Sequence, residues 1–152
     1  MALPFETIAQ MRLPPKLLIS ENRTPLLSLP QYKDTLGIWG SGGASAPLAQ
    51  QRWVNQREVF YWGDLDCHGL SIYGKFKEFS KNTHSLLMEG SLLSQFSELV
   101  GKYEDSVPKP SDYFTPEELE LFTHVVNNNL RLEQERIPHK YVLDALEVSG
   151  FR

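Results

Sequence analysis

Cysteine is almost missing from this chain: Cys67 stands alone among 152 residues. A lone thiol excludes an internal disulfide and any site built from several cysteines, and it suits a reducing cytosol. No apolar run approaches the roughly 20 residues of a membrane span, and Met1-Ala2-Leu3-Pro4 is no secretory signal, so a cytoplasmic protein with no membrane partner is expected. Positive charge is in deficit, with 15 Lys and Arg against 19 Asp and Glu, a net charge of −4. A nucleic-acid ligand would therefore be held weakly by this chain alone, because backbone affinity comes from Lys and Arg neutralising phosphates. Internal repeats and low-complexity tracts are also lacking, so most of the chain should be ordered.

What is present is material for a core. With 41% hydrophobic residues, the length suits one compact domain and is short for two. Residues 1–15, interrupted by prolines, read as an N-terminal extension or linker ahead of a domain over 16–150. Lys16 to Ser20 is a short apolar run that reads as a buried strand ending at Glu21, and Thr24-Pro25 can start a brief helix. Leu36 to Trp39 reads as a second strand, followed by the loop Gly40 to Gly43 and a helix from Ser45 to about Asn55. A third strand spans Val59 to Gly63, a helix about Leu70 to Ser80, a fourth strand Thr83 to Met88, and a helical stretch Ser91 to Val100. This alternation predicts an α/β fold, a Rossmann-like open parallel sheet flanked by helices. Gly101 to Phe114 reads as loop. Thr115-Pro116-Glu117-Glu118 is a complete helix start with a capping box, that helix ends in Asn127 to Asn129, and a last helix runs from Pro138 to Gly150.

The chemistry concentrates in Tyr61-Trp62-Gly63-Asp64-Leu65-Asp66-Cys67-His68-Gly69. Alternation along an extended chain puts Asp64 and Asp66 on one face, where two carboxylates repel unless a cation lies between them. Hard oxygen ligands of this kind suit Mg²⁺ or Mn²⁺, whose usual partner is a phosphate. Ligands of open parallel sheets bind beyond the carboxyl ends of the strands, which brings Glu21, the glycine loop and the two aspartates to one rim. The glycine loop has no P-loop lysine and is taken as a tight turn. His68 can touch a phosphate or a water. Arg131 to Arg136 holds four charges in six residues; as extended chain, Arg131, Glu133 and Glu135 share a face, whereas in a helix Glu133 and Glu135 diverge.

These residues resemble the Toprim (topoisomerase and primase) catalytic domain in the version carried by the D subunit, JetD, of Wadjet plasmid-defence systems, which is similar to the A subunit of topoisomerase VI. The resemblance runs from about Lys16 to Val148 and is carried by Glu21-Asn22, by the 61–69 string, by Ser-Leu-Leu-Met (85–88) and by Arg-Leu-Glu-Gln-Glu-Arg-Ile (131–137). It implies the Toprim fold and a Mg²⁺- or Mn²⁺-dependent DNA endonuclease cleaving plasmid DNA, with double-stranded DNA and SMC-like Wadjet subunits as partners; a homodimer stays open. It implies Glu21, Asp64 and Asp66 as metal ligands and catalytic residues, and Glu133 and Glu135 as further acidic site residues. His68, Arg131 and Arg136 are the candidates for phosphate or DNA. Family members carry a preceding winged-helix-like part without counterpart here, so the chain reads as the carboxy-terminal domain, and cleavage by it alone is not implied. Cys67 stands where Thr or Pro would be expected.

Two other readings fit part of the sequence. A haloacid-dehalogenase-type phosphatase also shows Asp-x-Asp after a strand, but it expects Thr or Val two residues past the second aspartate, where this chain has His68, and its strand comes near the start of the core. A non-catalytic module binding DNA or a partner through its acidic rim accounts for the charges without chemistry.

Overall fold

The computed structural model describes residues 3–152. Four parallel strands form the sheet: β1 (Lys16–Ser20), β2 (Thr35–Trp39), β3 (Glu58–Trp62) and β4 (Thr83–Ser85), in the order β2-β1-β3-β4. The two central strands are buried along almost their whole length, Leu17 to Ser20 and Val59 to Trp62, as expected of a parallel sheet covered on both faces. In register, Leu17 lies beside Val59, Ile19 beside Tyr61 and Leu18 beside Phe60. Alternation then assigns Leu17, Ile19, Val59 and Tyr61 to one face and Leu18, Phe60 and Trp62 to the other.

The first face carries α3 (Ser45–Ala49), α4 (Arg52–Asn55) and α5 (Cys67–Phe79), with Tyr61 stacked on Phe76 at 5.5 Å between ring centroids. The second carries α2 (Arg23–Leu27) and the end of α8 (His139–Val148), whose following Phe151 meets Phe60 edge-on at 4.8 Å. Further out, α6 (Ser91–Gln95) and α7 (Pro116–Asn127) complete the shell, and α1 (Phe5–Ala9) leans on α4 through the Phe5 and Trp53 rings. Thus part of the segment expected as a linker is helical; Met1 and Ala2 lie outside the described residues.

The sequence-based element order holds, and the differences have local causes. The helix expected over 45–55 is two short ones, because Gln51 between them adopts an extended ψ of 129°. The fourth strand stops at Ser85 instead of Met88, since Leu87 takes a left-handed φ of 55° that no strand tolerates. The capping box is present as expected: Thr115 Oγ1 accepts from Glu118 N–H at 3.2 Å, and Glu118 Oε1 accepts from Thr115 N–H at 2.9 Å. Within the expected loop 101–114, β5 (Gly101–Lys102) pairs antiparallel with β6 (Leu130–Arg131), a ladder too short to leave a periodic signal. No helix among the described residues is long and apolar enough to cross a membrane.

Candidate functional site

The chain leaves β1 toward β2 on one side, then returns to build β3 on the other, so a crevice opens at the carboxyl ends of β1 and β3. Such a switch in strand order is where α/β sheets receive ligands. Glu21 extends the β1–β3 ladder by one bond, its N–H donating to Trp62 O at 3.0 Å. Its carboxylate folds over the end of β3, where Glu21 Oε2 accepts from Asp64 N–H at 3.0 Å. Gly63 makes this approach feasible: a Cβ there would lie 2.7 Å from both Glu21 Oε2 and Tyr61 Oη.

Asp64 and Asp66 are both nearly inaccessible, 2% and 3% exposed. Asp64 Oδ1 accepts from Gln134 N–H at 2.9 Å and from Asn22 Nδ2 at 3.1 Å. Asp66 caps α5, its Oδ1 accepting from Gly69 N–H at 2.8 Å. The helix therefore starts at Cys67, ahead of the expected Leu70, and Asp66 serves the fold as well as the site. Gly69 is required by closeness, since a Cβ would stand 2.0 Å from the Asp64 carbonyl oxygen.

The segment 131–134 reaches the aspartates through an isolated bridge, in which Leu65 and Leu132 exchange both backbone bonds at 2.9 and 3.1 Å. This places Arg131 over the pair: Nη2 donates to Asp64 Oδ2 at 2.6 Å, and Nε lies 3.4 Å from Asp66 Oδ2. The guanidinium also sits 4.9 Å from the Tyr103 ring centroid. After Leu132 the chain turns into a 3₁₀ segment, Gln134–Arg136. Glu133 consequently points outward, 42% exposed and 4.0 Å from Arg131 Nε, and Glu135 comes within 3.5 Å of Asn22 Nδ2. The structure thus brings Glu21, Asp64, Asp66 and Arg131 together and leaves Glu133 and Glu135 at the rim. Arg136 is exposed beside Glu133, at 3.9 Å, and lines a cleft of about 440 Å³ with Trp62 and His139. His68 is half-buried, its ring edge-on to Tyr103, and its Nε2 has no hydrogen-bond partner.

Gln134 and Asn22 are the site residues that sequence reasoning passed over. Gln134, 1% exposed, bonds Asp64 through its N–H, Ser20 Oγ through Nε2 and Asn22 N–H through Oε1. Its signal was a neutral residue between two glutamates in a charged run.

Electrostatics follow from crowding. Burial first, and then the neighbouring Asp64 charge, push the Glu21 carboxyl up to about 7, although the Asp64 N–H and Arg131 pull the other way. Burial also raises Asp66, against the Gly69 N–H bond, and the Asp64 charge adds to it. Burial disfavours the charged form of Arg131, yet Asp64 and Asp66 hold its pKa above the ordinary value. The donor set is carboxylate oxygen throughout, which is the chemistry that Mg²⁺ or Mn²⁺ requires. As arranged, Arg131 supplies the positive charge, and among the described residues no three His, Cys, Asp or Glu side chains converge on one ion position.

A family model described as "Wadjet protein JetD, C-terminal" matches residues 1–146. The chain belongs to the JetD C-terminal family. Membership assigns it to a Wadjet defence system, and the match takes in the residues read above as an extension. The comparison with curated proteins gives no match. In this JetD C-terminal chain, the segments that form the crevice, 20–22, 61–69 and 131–134, all fall inside the matched span.

Proposed function

We propose that this chain is the Toprim nuclease part of its Wadjet complex, cutting phosphodiesters of plasmid DNA with Mg²⁺ or Mn²⁺. The observation that carries this reading is the nearness of Glu21, Asp64 and Asp66 at the β1–β3 crevice, where Glu21 Oε2 accepts the Asp64 N–H and the Arg131 cation spans both aspartates. A divalent ion held by Asp64, Asp66 and Glu21 would supply a polarised phosphoryl oxygen and a water of lowered pKa. Asp64 and Asp66 are oriented for that task, because one oxygen of each is fixed by a backbone N–H and the other is left for a cation. Glu21, whose Oε2 is held by the Asp64 N–H, either joins the ion or takes the proton of the attacking water. Arg136 and His68 stand on the rim, where a DNA phosphate would pass.

The net charge of −4 supports a division of labour in which other Wadjet subunits supply the grip on DNA. The test is plasmid nicking by the chain assembled with those subunits. Asp64→Ala with Asp66→Ala should abolish Mn²⁺-dependent nicking, and cutting retained by the double variant would refute the assignment. The guanidinium between the aspartates supports a second reading, a non-catalytic module whose acidic rim docks a partner. Calorimetric titration with Mn²⁺ separates the two, since the docking module takes up no metal at neutral pH.

A further inference from the structure

Each of the two site aspartates has one committed oxygen and one uncommitted one. Asp64 Oδ1 is bonded by Gln134 N–H and Asn22 Nδ2, and Asp66 Oδ1 by Gly69 N–H. Only the Oδ2 oxygens remain for a cation, and both face Arg131, at 2.6 Å from Nη2 and 3.4 Å from Nε. We infer that Arg131 is a resident counter-ion at the metal position, which a divalent cation must displace to reach Asp64 and Asp66. The inference rests on the metal reading proposed above.

Three features make the exchange feasible. Arg131 is 32% exposed, so its guanidinium can move toward solvent without crossing the core. Its grip is uneven: Nη2 is hydrogen-bonded to Asp64, whereas Nε is buried without a hydrogen bond of proper geometry and holds Asp66 by charge alone. An exposed acceptor waits on the way out, Glu133 at 4.0 Å from the same Nε. An incoming ion would take over both carboxylates as Arg131 leaves them, so neither charge is stranded in a buried setting. Two ligands competing for one position are coupled, and removing one must strengthen the other.

The test is calorimetric Mn²⁺ titration of the whole 152-residue chain without DNA, comparing wild type, Arg131→Gln and Arg131→Lys, with Asp64→Ala as the ligand-loss control. Arg131→Gln should bind Mn²⁺ about tenfold or more tightly than wild type. Arg131→Lys, which keeps the charge and loses the fork that spans both aspartates, should lie between them. Mn²⁺ should also raise the melting temperature of Arg131→Gln more than that of wild type, a readout that needs no nuclease activity. Equal or weaker Mn²⁺ binding by a folded Arg131→Gln overturns the exchange while leaving the metal site standing. Should Arg131→Gln fail to fold, wild-type affinity in Arg131→Lys overturns it equally. Absence of Mn²⁺ binding in every form, Arg131→Gln included, overturns the metal reading itself.

Discussion

Glu21 makes the stability of this chain fall with rising pH, in a window where most proteins are near their optimum. Its carboxyl titrates at about 7 in the folded state, against an ordinary 4.5, because burial and the Asp64 charge penalise the anion. Between those values the folded chain holds a proton that the unfolded chain has released, so the contribution is fully present below about 4.5 and is lost as pH rises through about 7. A span of that width corresponds to roughly 3–4 kcal/mol at most. Glu21 is only partly buried at its surface, and solvent screening reduces the expected loss to ~1–2 kcal/mol. The assay is urea unfolding in EDTA at pH 5 and pH 8, comparing wild type with Glu21→Gln. Glutamine keeps the size and an oxygen for the Asp64 N–H, and it does not titrate. The stability of wild type relative to Glu21→Gln should drop by ~1–2 kcal/mol across the window. Asp66, also raised, adds a slope of the same sign to both proteins, and only its coupling to the Glu21 charge enters the comparison. Parallel curves, or a difference that grows with pH, would refute the reasoning.

Two further substitutions probe the frame around the site. Gly69→Ala places a methyl 2.0 Å from the Asp64 carbonyl oxygen, an overlap with backbone that no rotamer relieves. It should cost more than ~3 kcal/mol in denaturant unfolding, and a loss below 1 kcal/mol would show that this turn yields. Thr115→Ala removes the α7 cap and should cost about 1 kcal/mol. Because Glu118 bonds both Thr115 N–H and Lys77, a Thr115→Ala variant unchanged in melting temperature would mean that the Lys77 ion pair alone fixes this helix start.

How much of this was legible in the sequence depended on the range of the interaction involved. Local signals carried the fold: the apolar runs of β1 and β3, the Thr115 capping box and the alternation of strands with helices are set within a few residues of one another. Glu21, Asp64 and Asp66 could be brought to one rim from strand order alone, since parallel strands put their carboxyl ends together. Hidden were the consequences of pairing across long separations. Nothing near Leu65 announces that it bridges Leu132, and that bridge decides where Arg131 and Gln134 go. The 131–137 run looked ambiguous between extended chain and helix because it is part of each: a two-residue strand, a bridge and a 3₁₀ turn. The stop of β4 was equally out of reach, since the left-handed φ falls on Leu87, inside the buried apolar run Leu86 to Met88, and not on a turn residue.

The position of Gln134 shows how such a site balances charge against folding. Its backbone N–H and both ends of its amide are spent on Asp64, Ser20 and Asn22, in a pocket where it is 1% exposed. A glutamate there would lose the donor to Ser20 Oγ and add a further buried negative charge beside the acidic site, so the group would have to neutralise or the pocket open. Glu133 and Glu135 on either side are tolerated because Glu133, part-exposed ahead of the 3₁₀ turn, lies beside Arg131 and Arg136, and Glu135, within the turn, is exposed. The acidic run is thus two surface charges around a neutral residue that fixes the orientation of Asp64. The buried negative charge stays confined to the crevice, where Arg131 pairs with Asp64 and Asp66 and burial favours the neutral form of Glu21.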